Sequence, residues 1–240
     1  MSEIKLRLTI VFIVAYVVLA NAGVVLSNQI GIEYLGETLL MLIFSFVLLL
    51  YAIKRKLTST IGFAKINFAD AKRCLFYIPL FILILANGVF FFDKSNNFQD
   101  IYLAIACKAL LAPFLEELLF RGFLFKAIED GQHTKKAVLI SGATFGFGHI
   151  VNLMSGYTGI QQLIQIILAV AIGILLAVLL VRTKSIVPGI IFHMAFNTAS
   201  VLSKQAEPLY DYIAVGFMLL VVLLYLVYLV NKGLSPERKK

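Results

Sequence analysis

Apolar residues occur along this chain in long, nearly uninterrupted runs of about twenty residues. A run of that length suits a helix that crosses the hydrocarbon core of a bilayer, whereas a membrane barrel gives alternating segments of about ten residues. We predict eight spans, at about 7–27, 36–53, 74–92, 101–125, 137–155, 160–181, 185–203 and 210–231. The pattern therefore indicates an all-α, polytopic transmembrane helix bundle, with residues 1–240 forming a single transmembrane domain.

The first apolar run admits two interpretations. Lys5 and Arg7 precede it, and Ala20-Asn21-Ala22 could end a cleaved signal peptide. The run continues through Leu26, however, and is then long enough to span a bilayer. We therefore expect a retained first helix. A different kind of segment, the amphipathic stretch at about 57–72, is expected to lie in the membrane interface.

Composition and charge agree with a membrane location. Hydrophobic residues make up 61% of the chain, against about 45–50% in soluble domains. The net charge of +8 comes from Lys and Arg in alternate loops and in the tail, at 54–56, 65, 72–73, 126, 135–136, 182–184 and 232–240. Because basic loops stay cytoplasmic, we expect a multi-pass cell-membrane protein with both termini in the cytoplasm. Acidic lipids of the bilayer, and not nucleic acid, are the expected partner of this charge.

Three charged residues interrupt the fourth predicted span, and each would cost roughly 2.5–3.5 kcal/mol at mid-bilayer. Glu117 and Arg121 are four residues apart, so they share one helix face and predict an intrahelical ion pair. Glu116 is about 140° from Arg121 around an α-helix, and is therefore predicted to point elsewhere without a local counter-charge. Such a carboxylate suits a general base. Lys108 is expected to be a counter-charge or to line a cavity.

Two other spans carry polar groups that lipid would not tolerate. The fifth contains His149, after glycines that would permit close helix contact, and then Asn152, whose role stays open between orienting His149 and holding a helix. The seventh contains His193 and Asn197, which share one face. We predict that these groups converge with Glu116 in the cytoplasmic half of the membrane. Cys74 and Cys107 are interpreted as small buried hydrophobes.

These polar residues form a pattern of three motifs. They are Glu116-Glu117-x-x-x-Arg121, Phe145-x-x-x-His149 and His193-x-x-x-Asn197, each on a separate predicted span. Over about residues 101–203, the predicted catalytic core, the chain resembles the CAAX protease and bacteriocin-processing family, also called the Abi or type II CAAX prenyl endopeptidase family. The resemblance implies an intramembrane endopeptidase that hydrolyses a peptide bond of a membrane-associated peptide or protein.

The resemblance also implies a role for each motif residue. Glu116 and His149 would activate a water molecule, and His193 and Asn197 would form the oxyanion hole. Supporting roles would fall to Glu117, Arg121 and Phe145. Some members of the family cleave after a prenylated cysteine, whereas bacterial members generally lack such substrates, and several are linked to bacteriocin maturation or self-immunity.

Three alternatives accompany this interpretation. Glu116, His149 and His193 form a His₂Glu set that resembles a catalytic zinc site. The HExxH motif is absent, so we favour a protease without a metal or other cofactor. Buried Glu and His residues also occur in transporters, but the paired broken helices of an inverted repeat are not evident. A non-proteolytic immunity protein would be expected to have damaged motifs, and here all three are intact.

Overall fold

A computed structural model describes residues 4–66, 68–88, 98–129, 133–150, 159–203 and 208–231, without the side chains of residues 98–100, 161 and 208. Within these ranges the chain forms helices and no strands, which confirms the predicted all-α class. The α-helices are α1 (Leu6–Ile30), α2 (Leu35–Lys54), α3 (Phe68–Arg73), α4 (Ile78–Gly88), α5 (Phe98–Ala104), α6 (Ala112–Glu116), α7 (Phe125–Ile128), α8 (Thr134–Gly148), α9 (Gly159–Thr183), α10 (Val187–Val201) and α11 (Pro208–Asn231).

Several of these helices have the length and composition of membrane spans. Among the described residues, four qualify: α1, α2, and the segments Gln162–Thr183 and Leu209–Asn231. Shorter apolar helices cover Leu75–Gly88 and Val187–Val201. Each of the eight predicted spans overlaps a helix, and the apolar helices are those of a membrane protein. The number of crossings and the side on which the termini lie remain predictions.

The charged fourth span is one long helix with two π-helical segments, Ile105–Leu111 and Glu117–Leu124, on either side of α6. The amide of Ala112 bonds to the carbonyl of Cys107, five residues back, and the amide of Phe125 bonds in the same way to that of Phe120. Such widened turns are frequent at functional sites. They bracket Glu116, the last residue of α6.

Glycines bring α8 and α9 together beside this helix. A Cβ atom added at Gly142 would lie 2.7 Å from the backbone nitrogen of Ile174, and one at Gly146 would lie 2.6 Å from that of Val170. Neither space admits a side chain, so α8 can pack this closely only with glycine at these positions. This close contact fixes the position of α8, which ends next to His149. The glycines of the sequence predicted such a close approach of helices.

The predicted interfacial stretch at 57–72 contains both turns and a short helix. Residues 58–62 form turns, residues 63–66 are irregular, and the side chains of Leu57 and Ile61 are buried. Gly62 has a φ of +95°, which ends any regular helix there, and Ile61 approaches Gly122 of the charged helix. Helical structure is confined to α3. Leu57 and Ile61 pack inward, and the interfacial position of the stretch stays a prediction.

Candidate active site

A buried ion pair lies at the centre of the charged helix. Arg121 Nη1 is 2.9 Å from Glu117 Oε1, and both side chains are only 1% exposed. Arg121 Nη2 also donates to the carbonyl oxygen of Gly173, and the guanidinium carbon lies 4.3 Å from the centre of the Phe145 ring. The structure thus contains the ion pair predicted from spacing, and the same arginine connects the charged helix to α8 and α9.

His193 of α10 lies between the two glutamates of the motif. Its Nδ1 is 3.1 Å from Glu117 Oε1, and its Nε2 is 3.6 Å from Glu116 Oε2. Because a carboxylate can only accept hydrogen bonds, Nδ1 carries the hydrogen in this arrangement. Glu117 therefore orients the imidazole so that Nε2 faces Glu116.

Glu116 has a partner that the helix geometry of the sequence did not reveal. The hydroxyl of Tyr16 on α1 donates to Glu116 Oε1 at 2.9 Å. The Glu116 side chain is 16% exposed, more than its neighbour Glu117. As predicted, the ion pair of Arg121 is with Glu117, whereas Glu116, which was expected to have no partner, accepts a hydrogen bond from Tyr16.

His149 lies at the C-terminal end of α8. Its Nδ1 is 3.1 Å from the carbonyl oxygen of Phe145, so this nitrogen donates the hydrogen, and Nε2 is the acceptor of the neutral imidazole. The amide side chain of Gln162 on α9 donates to the His149 carbonyl at 2.8 Å. Asn152, the other polar residue predicted near this position, lies outside the described residues.

The Phe145 ring separates the two histidines and contacts both. Its centre is 5.1 Å from the centre of the His149 ring and 5.5 Å from that of His193, with edge-to-face geometry in each case. Phe120 packs on the same ring at 5.6 Å. Phe145 thus acts as an apolar spacer that holds the imidazoles in fixed relative positions.

Asn197 bonds to the backbone of the charged helix. Its Nδ2 donates to the carbonyl oxygen of Lys108 at 3.0 Å. The amide of Ala112 already bonds to Cys107 in the π pattern, so the corresponding donor for Lys108 would be residue 113. That residue is Pro113, which has no N–H. Asn197 therefore satisfies a carbonyl that the proline leaves without its helical partner.

The side chain of Lys108 does not enter this network of carboxylates. Its Nζ bonds to the hydroxyl of Tyr34 at 3.0 Å and lies 4.3 Å from the centre of the same ring. The lysine is exposed, so solvent or lipid headgroups can also contact the ammonium group. The contact found for this ammonium group is with Tyr34, and the expected role of Lys108 as a counter-charge or a cavity-lining residue stays a prediction.

A cavity of about 620 Å³ brings two of the predicted catalytic residues, Glu116 and His149, to one space. Its remaining wall is largely apolar and comes from α1, α8 and Phe120. These lining residues are Ile13, Tyr16, Val17, Asn21, Phe120, Ile140, Ala143, Thr144, Phe145, Phe147 and Gly148. His193 and Asn197 are not among the lining residues, although His193 Nε2 lies 3.6 Å from Glu116 Oε2. An apolar cavity with a few convergent polar groups is typical of a site that binds an organic substrate.

The three ligands of the zinc alternative do not form a ready-made metal site. Among the described residues, which include Glu116, His149 and His193, no three His, Cys, Asp or Glu side chains are placed to hold a metal ion together. A zinc site built from these three residues would therefore require side-chain movement.

Comparison with known proteins gives two matches. The family model described as "Type II CAAX prenyl endopeptidase Rce1-like" matches residues 98–199. The "Putative membrane peptidase YdiL" of Bacillus subtilis (strain 168) is 30% identical over 150 residues, which are 58% of this chain and 57% of that protein. The match thus spans little more than half of the relative. No solved structure gives a significant match. Both matches are to peptidases, and the family match contains all three motifs. Residues 98–199 are therefore similar to the Rce1-like family of type II CAAX prenyl endopeptidases, and this match supports the resemblance drawn from those motifs.

Proposed function

We propose that the protein is a multi-pass intramembrane endopeptidase of the cell membrane, which cleaves a membrane-associated peptide or protein near the cytoplasmic side. The observation that carries this proposal is the shared cavity of Glu116 and His149, with His193 Nε2 3.6 Å from Glu116 Oε2. Residues from two of the motifs line one space that can hold a peptide bond, and His193 of the third motif lies next to Glu116. The peptidase matches support the same reaction class.

Water attack follows from the acceptor atoms in the cavity. A water molecule between Glu116 and His149 would donate one hydrogen to the carboxylate and the other to His149 Nε2, which is the acceptor nitrogen of a neutral imidazole that donates from Nδ1 to the Phe145 carbonyl. Glu116 takes the proton as the water oxygen forms a bond to the peptide carbonyl carbon. The same proton then passes to the amide nitrogen as the C–N bond breaks.

The developing oxyanion requires donors in a site that excludes bulk water. We assign this role to His193 Nε2, in its protonated form, and to the Asn197 carboxamide. One hydrogen of the Asn197 amide is bonded to the Lys108 carbonyl, and the second remains for the substrate. Glu117 and Arg121 support the site by holding the His193 ring, and Phe145 by spacing the imidazoles.

We further propose that this hydrolysis needs no metal, because water activation is accounted for by Glu116 and His149 alone. A zinc-dependent version of the same protease, with Glu116, His149 and His193 as ligands, is the alternative. Bacteriocin processing or self-immunity is the expected biological setting. In either case the substrate is peptide in nature and reaches the site from the membrane.

The proposal is tested by comparing peptides from membranes of cells that produce the wild-type protein, Glu116→Ala or Glu33→Ala. Glu33 lies exposed in the turn between α1 and α2, so its variant controls for loss of a carboxylate elsewhere. We expect a set of cleavage products that requires Glu116 and not Glu33, at equal protein levels in the membrane. An unchanged peptide profile in well-expressed Glu116→Ala would contradict the proposal.

A further inference from the structure

The first helix contributes one wall of the cavity, although it lies outside the segment that matches the family. Its residues Ile13, Tyr16, Val17 and Asn21 recur at the three- and four-residue spacing of one helix face. Another part of the wall comes from α8, and Glu116 belongs to the charged helix. The cavity is therefore incomplete without α1, and an active-site residue can come from this helix.

Tyr16 is the residue of α1 that contacts the motif. Its hydroxyl donates to Glu116 Oε1 at 2.9 Å across 100 residues of sequence. A hydrogen bond to a carboxylate is stronger than one between neutral groups, and more so away from water. The contact therefore constrains rotation of the carboxylate and occupies one of its two oxygens.

The second oxygen of Glu116 is left with a different environment. Oε2 lies 3.6 Å from His193 Nε2, longer than a hydrogen bond. The two oxygens are thus distinct: Oε1 is engaged by Tyr16, and Oε2 is the oxygen with capacity to accept a proton from water.

We propose that Tyr16 is a positioning residue of the active site, which binds Glu116 Oε1 so that Oε2 acts as the base. This inference rests on the proposed endopeptidase function. It assigns to α1 a direct part in the reaction, and it predicts that the catalytic unit extends beyond residues 98–199.

A purely structural role for Tyr16 makes a different prediction. If the hydroxyl only satisfies the helix contact, its loss should lower stability and leave the turnover of folded protein unchanged. If it positions the base, its loss should lower kcat with little change in KM, because the substrate is bound by the other walls of the cavity.

The first stage of the test repeats the peptide comparison with Tyr16→Phe and with Tyr51→Phe as the matched control. Tyr51 packs on Phe12 and Phe123 and does not line the cavity. A product that requires Glu116 is then made as a synthetic peptide spanning the cleavage site. It is used to measure kcat and KM of the purified proteins. We expect kcat about tenfold lower for Tyr16→Phe, with KM within about twofold, and no change for Tyr51→Phe.

A third variant separates the hydrogen bond from the shape of the ring. 4-Aminophenylalanine introduced at position 16 keeps the ring and restores an N–H donor, so it should recover most of the lost kcat. Wild-type kcat in Tyr16→Phe, or equally low kcat with and without the donor, would overturn the inference. If no product requires Glu116 at all, the proposed function fails first, and that outcome is distinct from products that require Glu116 but not Tyr16.

Discussion

The buried ion pair of Glu117 and Arg121 can be tested by measuring the free energy of unfolding of variants that lack one or both charges. Replacing Arg121 by Met keeps a long, unbranched side chain but removes the cation 2.9 Å from Glu117 Oε1. The carboxylate would then remain 1% exposed, with Glu117 Oε2 already lacking a hydrogen-bond partner in the described structure. Breaking one side of a buried pair typically costs about 3–5 kcal/mol. Since unfolded helices in a membrane also find polar partners, we expect Arg121→Met to lower the free energy of unfolding by about 3 kcal/mol, the lower end of this range.

The assay is equilibrium unfolding of the purified protein in mixed micelles, with Glu117→Gln and the double variant Glu117→Gln/Arg121→Met completing a thermodynamic cycle. We expect each single variant to lose about 3 kcal/mol, and the double variant to lose clearly less than the sum, because it leaves no uncompensated charge. The amide oxygen introduced by Glu117→Gln can still accept the hydrogen bond from His193 Nδ1, so the loss reports mainly on the ion pair. If each single variant loses less than about 1 kcal/mol of unfolding free energy, or if the two losses simply add in the double variant, Glu117 and Arg121 do not form a buried, energetically coupled ion pair.

Three further predictions concern the helices around the site and the metal alternative. In Gly146→Val the new side chain must displace α9, because even a Cβ would lie 2.6 Å from the Val170 backbone nitrogen. We expect the free energy of unfolding to fall by roughly 1–3 kcal/mol and cleavage to be lost. Asn197→Ala should lower the free energy of unfolding by about 0.5–1.5 kcal/mol, because it removes the hydrogen bond to the Lys108 carbonyl. The loss should be smaller in a Pro113→Ala background, where an N–H is restored, and equal losses in both backgrounds would contradict this account. Cleavage by purified protein should persist in chelator-treated, metal-free buffer, whereas full loss restored by zinc would favour the metal alternative.

The helical class and the ion pair could be predicted because both depend on local sequence. Runs of apolar residues specify helices without reference to their neighbours, and the four-residue spacing of Glu117 and Arg121 brings their side chains together on any regular helix. The contact glycines at 142 and 146 were informative for a similar reason, since small residues at one helical face permit close approach.

The finer geometry depends on tertiary contacts that periodicity does not encode. The donor from Tyr16 comes from a helix 100 residues away, and one hydroxyl within an apolar span gives no sign of its partner. The partner of Asn197 is a backbone carbonyl, which no motif can indicate, although Pro113 marks where a helical hydrogen bond is missing. The π segments were missed because their hydrophobic pattern is close to that of an α-helix.

Catalysis by Glu116 is most directly tested by the isosteric variant Glu116→Gln. Its amide oxygen can still accept the hydrogen bond from Tyr16, but it cannot take a proton from water. With the synthetic peptide that spans a Glu116-dependent cleavage site, and with Glu33→Gln as control, we predict that kcat falls by about 10²–10⁴ while KM and the unfolding free energy change little. A Glu116→Gln protein that retains kcat within a few-fold of wild type would contradict Glu116 as the base that activates water.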